Sequence, residues 1–129
     1  MLKKAIILPL LFVCSMSFAQ VFVANVDINK KNIEYVEVWD NYDKESGKFM
    51  AMVDYGQEDN RDKDKKGQQL MVTSANGATL QFNGIVHILN YMHRNGWEIV
   101  HIKDMGDYES YLMKRKADFS LMPISGSDQ

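Results

Sequence analysis

Apolar positions recur at helical spacing in the second half of the chain. The positions i, i+3, i+4 and i+7 hold Ile85, Ile88, Leu89 and Met92. These four side chains would form one apolar stripe along an α-helix. Asn83 precedes the stripe and is a residue type that caps helix N-termini, and Gly96 follows it and suits the left-handed conformation that ends many helices. The pattern predicts a helix over residues 84–95.

Six other segments are rich in β-branched and aromatic residues, many in alternation, which is typical of strands. They cover residues 33–40, 49–56, 69–74, 78–82, 97–104 and 108–116. The first two are expected to pair as a hairpin, and Asn76-Gly77 favours a tight turn between the third and fourth. The sequence therefore predicts an α+β domain. It would be a mostly antiparallel sheet of five to six strands with one main helix packed on one face.

Trp97 stands directly after the predicted end of the helix. A large aromatic side chain at this joint would anchor the following strand beneath the helix. We therefore interpret Asn83, Gly96, Trp97 and the four residues of the stripe as structural, with no part in catalysis.

The first two predicted strands carry apolar residues on both faces, and one helix covers only one face. Val36, Val38, Met50 and Met52 are accordingly predicted as an interface on the sheet face away from the helix. Its occupant would be an unknown envelope protein, a second copy of the chain or a small ligand. The intramolecular alternative is the C-terminal tail, residues 117–129, which contains several apolar side chains.

The first nineteen residues have the features of a secretory signal peptide. Two lysines precede an apolar run over residues 5–14, and small side chains follow at Ser17 and Ala19. Cleavage after Ala19 would leave Gln20 as the N-terminus. The sequence thus predicts a periplasmic or secreted protein.

The alternative to a cleaved leader is a lipoprotein acylated at Cys14. Val13 opposes this interpretation, because its bulky side chain stands where such sites have a small residue. Cys14 is the only cysteine, so leader cleavage would exclude disulfides and cysteine-ligated metal in the mature chain.

The remaining chain divides into an N-terminal arm (residues 20–32), a single domain (33–116) and the tail. Removal of the two leader lysines changes the net charge from −2 to −4. No basic stripe is present, so nucleic acid is not an expected partner. No later segment is continuously apolar for the ~20 residues of a transmembrane helix, so no transmembrane segment is expected.

Side chains that could carry chemistry are sparse. His87 and His93 are six residues apart and would point about 120° from each other on a helix, which opposes a shared metal site. Residues 62–67 resemble the first half of a calcium loop, but Lys66 stands where a ligand oxygen belongs. We expect no metal, no cofactor and no catalytic residue. A small enzyme whose site is assembled in space is the alternative.

The C-terminal half resembles a group of small secreted Gram-negative bacterial proteins, a domain of unknown function. In these proteins a Leu-Asn-Tyr-Met helix leads into Gly-Trp-Glu, and a strand with a Tyr-x-Leu-x-Lys-Arg-like pattern follows. The matching positions are Leu89, Asn90, Tyr91, Met92, Gly96, Trp97, Glu98, Tyr111, Met113, Lys114 and Arg115. The resemblance covers roughly residues 70–116. It implies an exported α+β protein and brings no known activity, so a non-catalytic binding domain of the bacterial envelope is the expected function.

Overall fold

The computed structural model describes residues 19–58 and 67–117. Within these residues the chain forms one α-helix, seven β-strands and two short 3₁₀ turns, at Ile28–Lys30 and Gln68–Leu70. The strands are β1 (Phe22–Val23), β2 (Val26–Asp27), β3 (Tyr35–Asp43), β4 (Lys48–Asp54), β5 (Val72–Thr73), β6 (Trp97–Asp104) and β7 (Glu109–Arg115). Helix α1 (Ile85–Arg94) lies between β5 and β6.

The strands of the described residues form two antiparallel sheets. The smaller has the order β2-β1-β5 and the larger the order β4-β3-β7-β6. The α+β class and the hairpin of β3 with β4 are confirmed. The prediction of a single sheet of five to six strands was wrong, because the segment before residue 33 contributes two strands. The predicted hairpin over residues 69–82 is also reduced to β5 and an isolated bridge between Thr73 and Thr79.

Helix α1 is one residue shorter at each end than predicted. Its N-cap is Gly84, which makes no side-chain cap. The prediction that Asn83 is the N-cap was wrong, because its Oδ1 accepts a hydrogen bond from Lys48 Nζ (2.8 Å) on β4. Its backbone N–H donates to His87 Nδ1 (3.0 Å). At the other end Gly96 has φ +97°, a left-handed conformation that glycine adopts without strain.

The core extends further toward the N-terminus than the sequence indicated. Val21, Val23 and Ile28 are fully buried and belong to the same cluster as Ile88 and Met92 of the helix. Residues 20–32 are therefore part of the domain, and their description as an arm was wrong. Strands of two residues are too short to show an alternating pattern, which is why this segment carried no strand signal.

The same segment changes the interpretation of β3. Val36 and Val38 are buried in this core cluster, opposite Met113 and Tyr111 of β7. They are therefore unavailable as an interaction surface. The apolar surplus that predicted an interface is covered within the chain, by the helix and the N-terminal segment together.

The two methionines of the predicted interface lie on the other face of the sheet. Met52 pairs with Trp39 of β3, and Met50 pairs with Asn41. Met52 is buried, and an isolated bridge joins it to Met71, whereas Met50 is partly exposed. Val36, Val38, Met50 and Met52 thus do not form one exposed face, and the predicted interface is corrected.

The turn between β1 and β2 is strained at one position. Ala24 and Asn25 both have positive φ, 47° and 67°, as a type I′ turn requires. An alanine in the left-handed region costs roughly 1–2 kcal/mol, because its Cβ crowds the backbone. Ala24→Gly should remove that cost.

Ala75→Gly is the matched control, because Ala75 is an exposed turn residue that does not have a positive φ. The entropy lost on folding glycine is common to both variants. The free energy of unfolding, measured in urea, should therefore be roughly 1–2 kcal/mol higher for Ala24→Gly than for Ala75→Gly. Equal values would show that the turn is unstrained.

Candidate functional site

Two features of the described residues are candidates for a functional site: a buried polar cluster around Arg115 and an exposed edge strand. The buried cluster begins with Trp97, which is 0% exposed. Its indole N–H donates to Asn29 Oδ1 (3.0 Å), and Asn29 Nδ2 donates to the carbonyl of Asn95 (2.8 Å). The joint at the end of the helix is thereby fixed to the 3₁₀ turn near the N-terminus.

Arg115 completes this cluster. Its guanidinium carbon lies 4.8 Å from the centroid of the Trp97 ring, within the range of a cation–π contact. Its nitrogens donate to four main-chain carbonyls, those of Ile28 (3.2 Å), Asn29 (3.1 Å), Lys31 (3.1 Å) and Ile33 (3.0 Å). Arg115 therefore holds the whole turn from residue 28 to residue 33 against β7.

Burial of the guanidinium lowers the pKa of Arg115, and the nearby negative charges of Glu34 and Asp27 act in the opposite direction. Asp27 Oδ1 accepts the backbone N–H of Asn29 (3.0 Å). Its Oδ2 is buried and has no hydrogen-bond partner among the described residues. Because the donors of Arg115 are engaged by the backbone, the cluster stabilises the fold and has no cation free to bind a substrate.

An open cleft of about 370 Å³ lies beside this cluster. Its lining residues are Asn32, Glu34, Glu98, Lys114, Arg115, Lys116 and Ala117. Acidic and basic side chains are interleaved along it. Among them, Arg115 is committed to carbonyls and Lys116 Nζ donates to the carbonyl of His93 (2.7 Å). The cleft therefore does not offer a charged ligand a surface of uniform sign.

The histidines occupy separate places. His87 and His93 are on α1, and His101 is on β6. His87 Nδ1 accepts the backbone N–H of Asn83, and its ring contacts Phe82 edge to face (5.1 Å). In the two described segments no three His, Cys, Asp or Glu residues are grouped as metal ligands. The calcium-like residues 62–66 lie outside the described residues.

The second feature is β6, an eight-residue strand at the edge of the larger sheet. Every residue of β6 except Trp97 is exposed. Three of these exposed residues, Ile99, Val100 and Ile102, are large and apolar, and Ile102 is 54% exposed. We call residues 98–104 the β6 edge. Met105 and Tyr108, in the loop that follows, are also exposed.

A β-bulge interrupts the pairing of β6 with β7 between Ile99 and His101. Ile99 pairs with Met113 and Ile102 with Tyr111, so both isoleucines share the sheet face that bears the core. Glu98 and Lys103 pair with Lys114 and Ser110 and share the opposite face. In a regular strand without a bulge, side chains three or five positions apart would lie on opposite faces.

The sequence predicted the β6 strand but not its exposure. Its alternation gave no indication of which elements would cover it, because Ile99 and Val100 are as apolar as the buried valines of β3. No local signal could have found it, because the place of β6 at the sheet edge is set by the order of the strands.

Comparison with family models, curated proteins and solved structures found no match for this chain. No helix in residues 19–58 and 67–117 is long and apolar enough to span a membrane. The resemblance to small secreted proteins of unknown function stays a prediction, and the candidate site depends on geometry alone.

Trp97→Ala should lower the free energy of unfolding by about 3–5 kcal/mol, the usual cost of truncating a fully buried aromatic side chain. Trp39→Ala is the control, because Trp39 is only partly buried and lies on the other face of the sheet. Its loss should be roughly 1 kcal/mol. Urea denaturation of both variants measures the difference, and similar losses would contradict the anchoring role of Trp97.

Arg115→Met should cost about 3–5 kcal/mol, because the carbonyls of Asn29 and Ile33 lose their donor inside the protein, while those of Ile28 and Lys31 keep a backbone N–H. Arg115→Lys should be intermediate, since an ammonium keeps the charge but lacks the planar fork. Lys114→Met, at the neighbouring position, loses a cation–π contact with Tyr35 (5.9 Å) and should cost no more than about 1 kcal/mol. Arg115→Met as stable as Lys114→Met would rule out the cluster as a fold constraint.

Proposed function

We propose that the chain is an exported, non-catalytic binding domain of the bacterial envelope that binds a protein strand along the β6 edge. One observation carries the proposal: an eight-residue strand at a sheet edge exposes seven of its residues, three of them large and apolar. This surface replaces the four residues that the sequence predicted as an interface.

An exposed edge strand offers two kinds of contact to an extended polypeptide. Its outward backbone groups form a new ladder of hydrogen bonds, and its side chains select what lies beside it. On the β6 edge the backbone groups of Ile99 and Ile102 are among those that point away from β7, and an added strand would cover part of their apolar side chains. Long apolar edges promote association, so a covering strand explains this composition better than solvent does.

Export is the second element of the proposal, and the position of the first core residue supports it. Val21, two residues after the predicted cleavage site, is fully buried. The backbone N–H of Gln20 donates to Asn95 Oδ1 (3.2 Å). Cleavage after Ala19 would therefore leave in place the core residues found in the described part of the chain. We further propose that the chain belongs with the small secreted proteins that its C-terminal half resembles.

The mature protein should begin at Gln20 and carry no lipid. Intact mass and N-terminal sequencing of the protein recovered from the periplasm or medium of a Gram-negative host measure both properties. A diacylated N-terminus at Cys14 would instead establish the lipoprotein alternative.

Binding along the β6 edge is testable by site-specific crosslinking in cells that export the protein. A photoreactive amino acid at Ile102 should give a discrete adduct with a polypeptide. The same group at Val86, which is 66% exposed on the outer side of α1, serves as the matched control. The Ile102 adduct should disappear with Ile99→Asp. Equal or absent adducts at the two positions would refute the proposed function.

A further inference from the structure

We infer that the strand bound along the β6 edge is β6 of a second copy of this chain, paired antiparallel with Glu98 of each copy opposite Lys103 of the other. This inference rests on the proposed function and identifies its partner. Three observations carry it: the direction of the backbone groups, the position of the bulge and the order of charges along β6.

The backbone of β7 alternates between its two neighbours. Lys116 N–H donates to the carbonyl of Gly96 (2.8 Å), and Arg115 N–H donates to the carbonyl of Glu34 (2.9 Å) on the other side. Even-numbered residues of β7 thus face β6. Because Glu98 pairs with Lys114 and Lys103 with Ser110, the backbone groups of Glu98 and Lys103 point toward β7.

Ile99 and Ile102 pair with the odd-numbered Met113 and Tyr111 and point outward, whereas His101 pairs with Leu112 and points toward β7. The alternation leaves the N–H and C=O groups of Ile99 and Ile102 directed away from β7, toward an added strand. An antiparallel pair needs two outward-facing residues opposite each other. A two-fold axis between Val100 and His101 places Ile99 opposite Ile102 of the second copy, and the reverse, so each such pair exchanges two hydrogen bonds.

Because of the bulge, the side chains that this register brings opposite each other lie on the same face of the sheet. Opposed residues in a sheet must lie on the same face. Ile99 and Ile102 share one face and Glu98 and Lys103 share the other, as the pairing with β7 shows. If these same residues were paired regularly, with no bulge, positions three or five apart would lie on opposite faces, and neither pair would match itself in this register.

The charges complement each other at the same register. Glu98 lies opposite Lys103 of the second copy in a pair without backbone hydrogen bonds, where Cα atoms approach to about 4.5 Å. The two-fold axis creates this ion pair twice. Within the chain, Lys114 pairs with Glu98, but its ammonium lies 5.9 Å from the centroid of the Tyr35 ring on β3. Glu98 is thus available to the second copy.

A lysine and a bulge on an edge strand commonly prevent pairing with other strands. Here the bulge brings the two isoleucines and the two charges into matching positions, and the lysine meets a carboxylate. Pairing of one eight-residue strand buries less than the roughly 1,600 Å² of a standard interface. The dimer should therefore be weak and concentration-dependent.

Charge exchange tests the register in the full mature protein. Sedimentation equilibrium should show the mass rising from that of one chain toward that of two as the concentration increases. Glu98→Lys and Lys103→Glu should each weaken association at least tenfold, because each creates two like-charge contacts. The double variant, with both substitutions, should restore association to within a few-fold of the unmodified protein.

Two surface variants of equal charge change are the controls. Glu45→Lys and Lys44→Glu alter exposed residues of the turn between β3 and β4 and should leave association unchanged. Ile102→Pro removes an outward N–H that no strand of residues 19–58 and 67–117 uses, so it should abolish the dimer and retain the fold, as seen by circular dichroism. Should that variant unfold, the charge exchange still decides the register.

Amide hydrogen exchange identifies the occupant. Protection of the Ile99 and Ile102 amides should increase with protein concentration. Protection at all concentrations in a monomer would mean that the chain covers its own edge, for example with residues 118–129, and would overturn the inference. A monomer whose Ile102 crosslinks to a different polypeptide would also overturn it while the proposed function stands. A monomer with neither protection nor adduct would refute both.

Discussion

The structure depends on one constraint, the burial of the Arg115 guanidinium with backbone carbonyls as its partners. A buried cation is tolerated only when its donors are satisfied, and these donors are satisfied by the turn over residues 28–33. That turn must therefore pass beneath β7 and contact Trp97. Its position sets the path of β1 and β2, and these place Val21 and Val23 in the core. The N-terminal segment is accordingly part of the domain.

The path of the N-terminal segment also determines which parts of the larger sheet are buried. Helix α1 and the N-terminal segment pack against the part of the sheet that holds Val36 and Val38, so this face is buried in the middle of the sheet. Among the described residues of β6, Trp97 alone is buried, at the joint with the helix. On this face of the larger sheet, the exposed aliphatic side chains of the described residues, Ile99 and Ile102, therefore lie at its edge. The interaction surface we propose is a consequence of the same packing.

The elements that the sequence predicted well are those whose interactions are local. The stripe of α1, the left-handed Gly96 and the hairpin of β3 with β4 each depend on residues close together in the chain. The contacts of Arg115 join residues 82–87 positions apart, and no periodicity reports such a pairing. The predicted interface failed for that reason, since the cover over Val36 comes from a segment too short to show a pattern. The exposure of Ile102 was likewise decided by the order of strands in the sheet.

The contacts between Arg115 and residues 28–33 also determine when the domain can fold during synthesis. The first segment of the domain to be made meets its partner only when β7, the last strand of the described residues, has been completed. Trp97 and Met113 reach the core equally late. A chain with such distant contacts folds slowly, and no N-terminal fragment of it contains a finished core. Until residues 97–115 have been made, the N-terminal segment of the domain therefore has no folded surface to pack against.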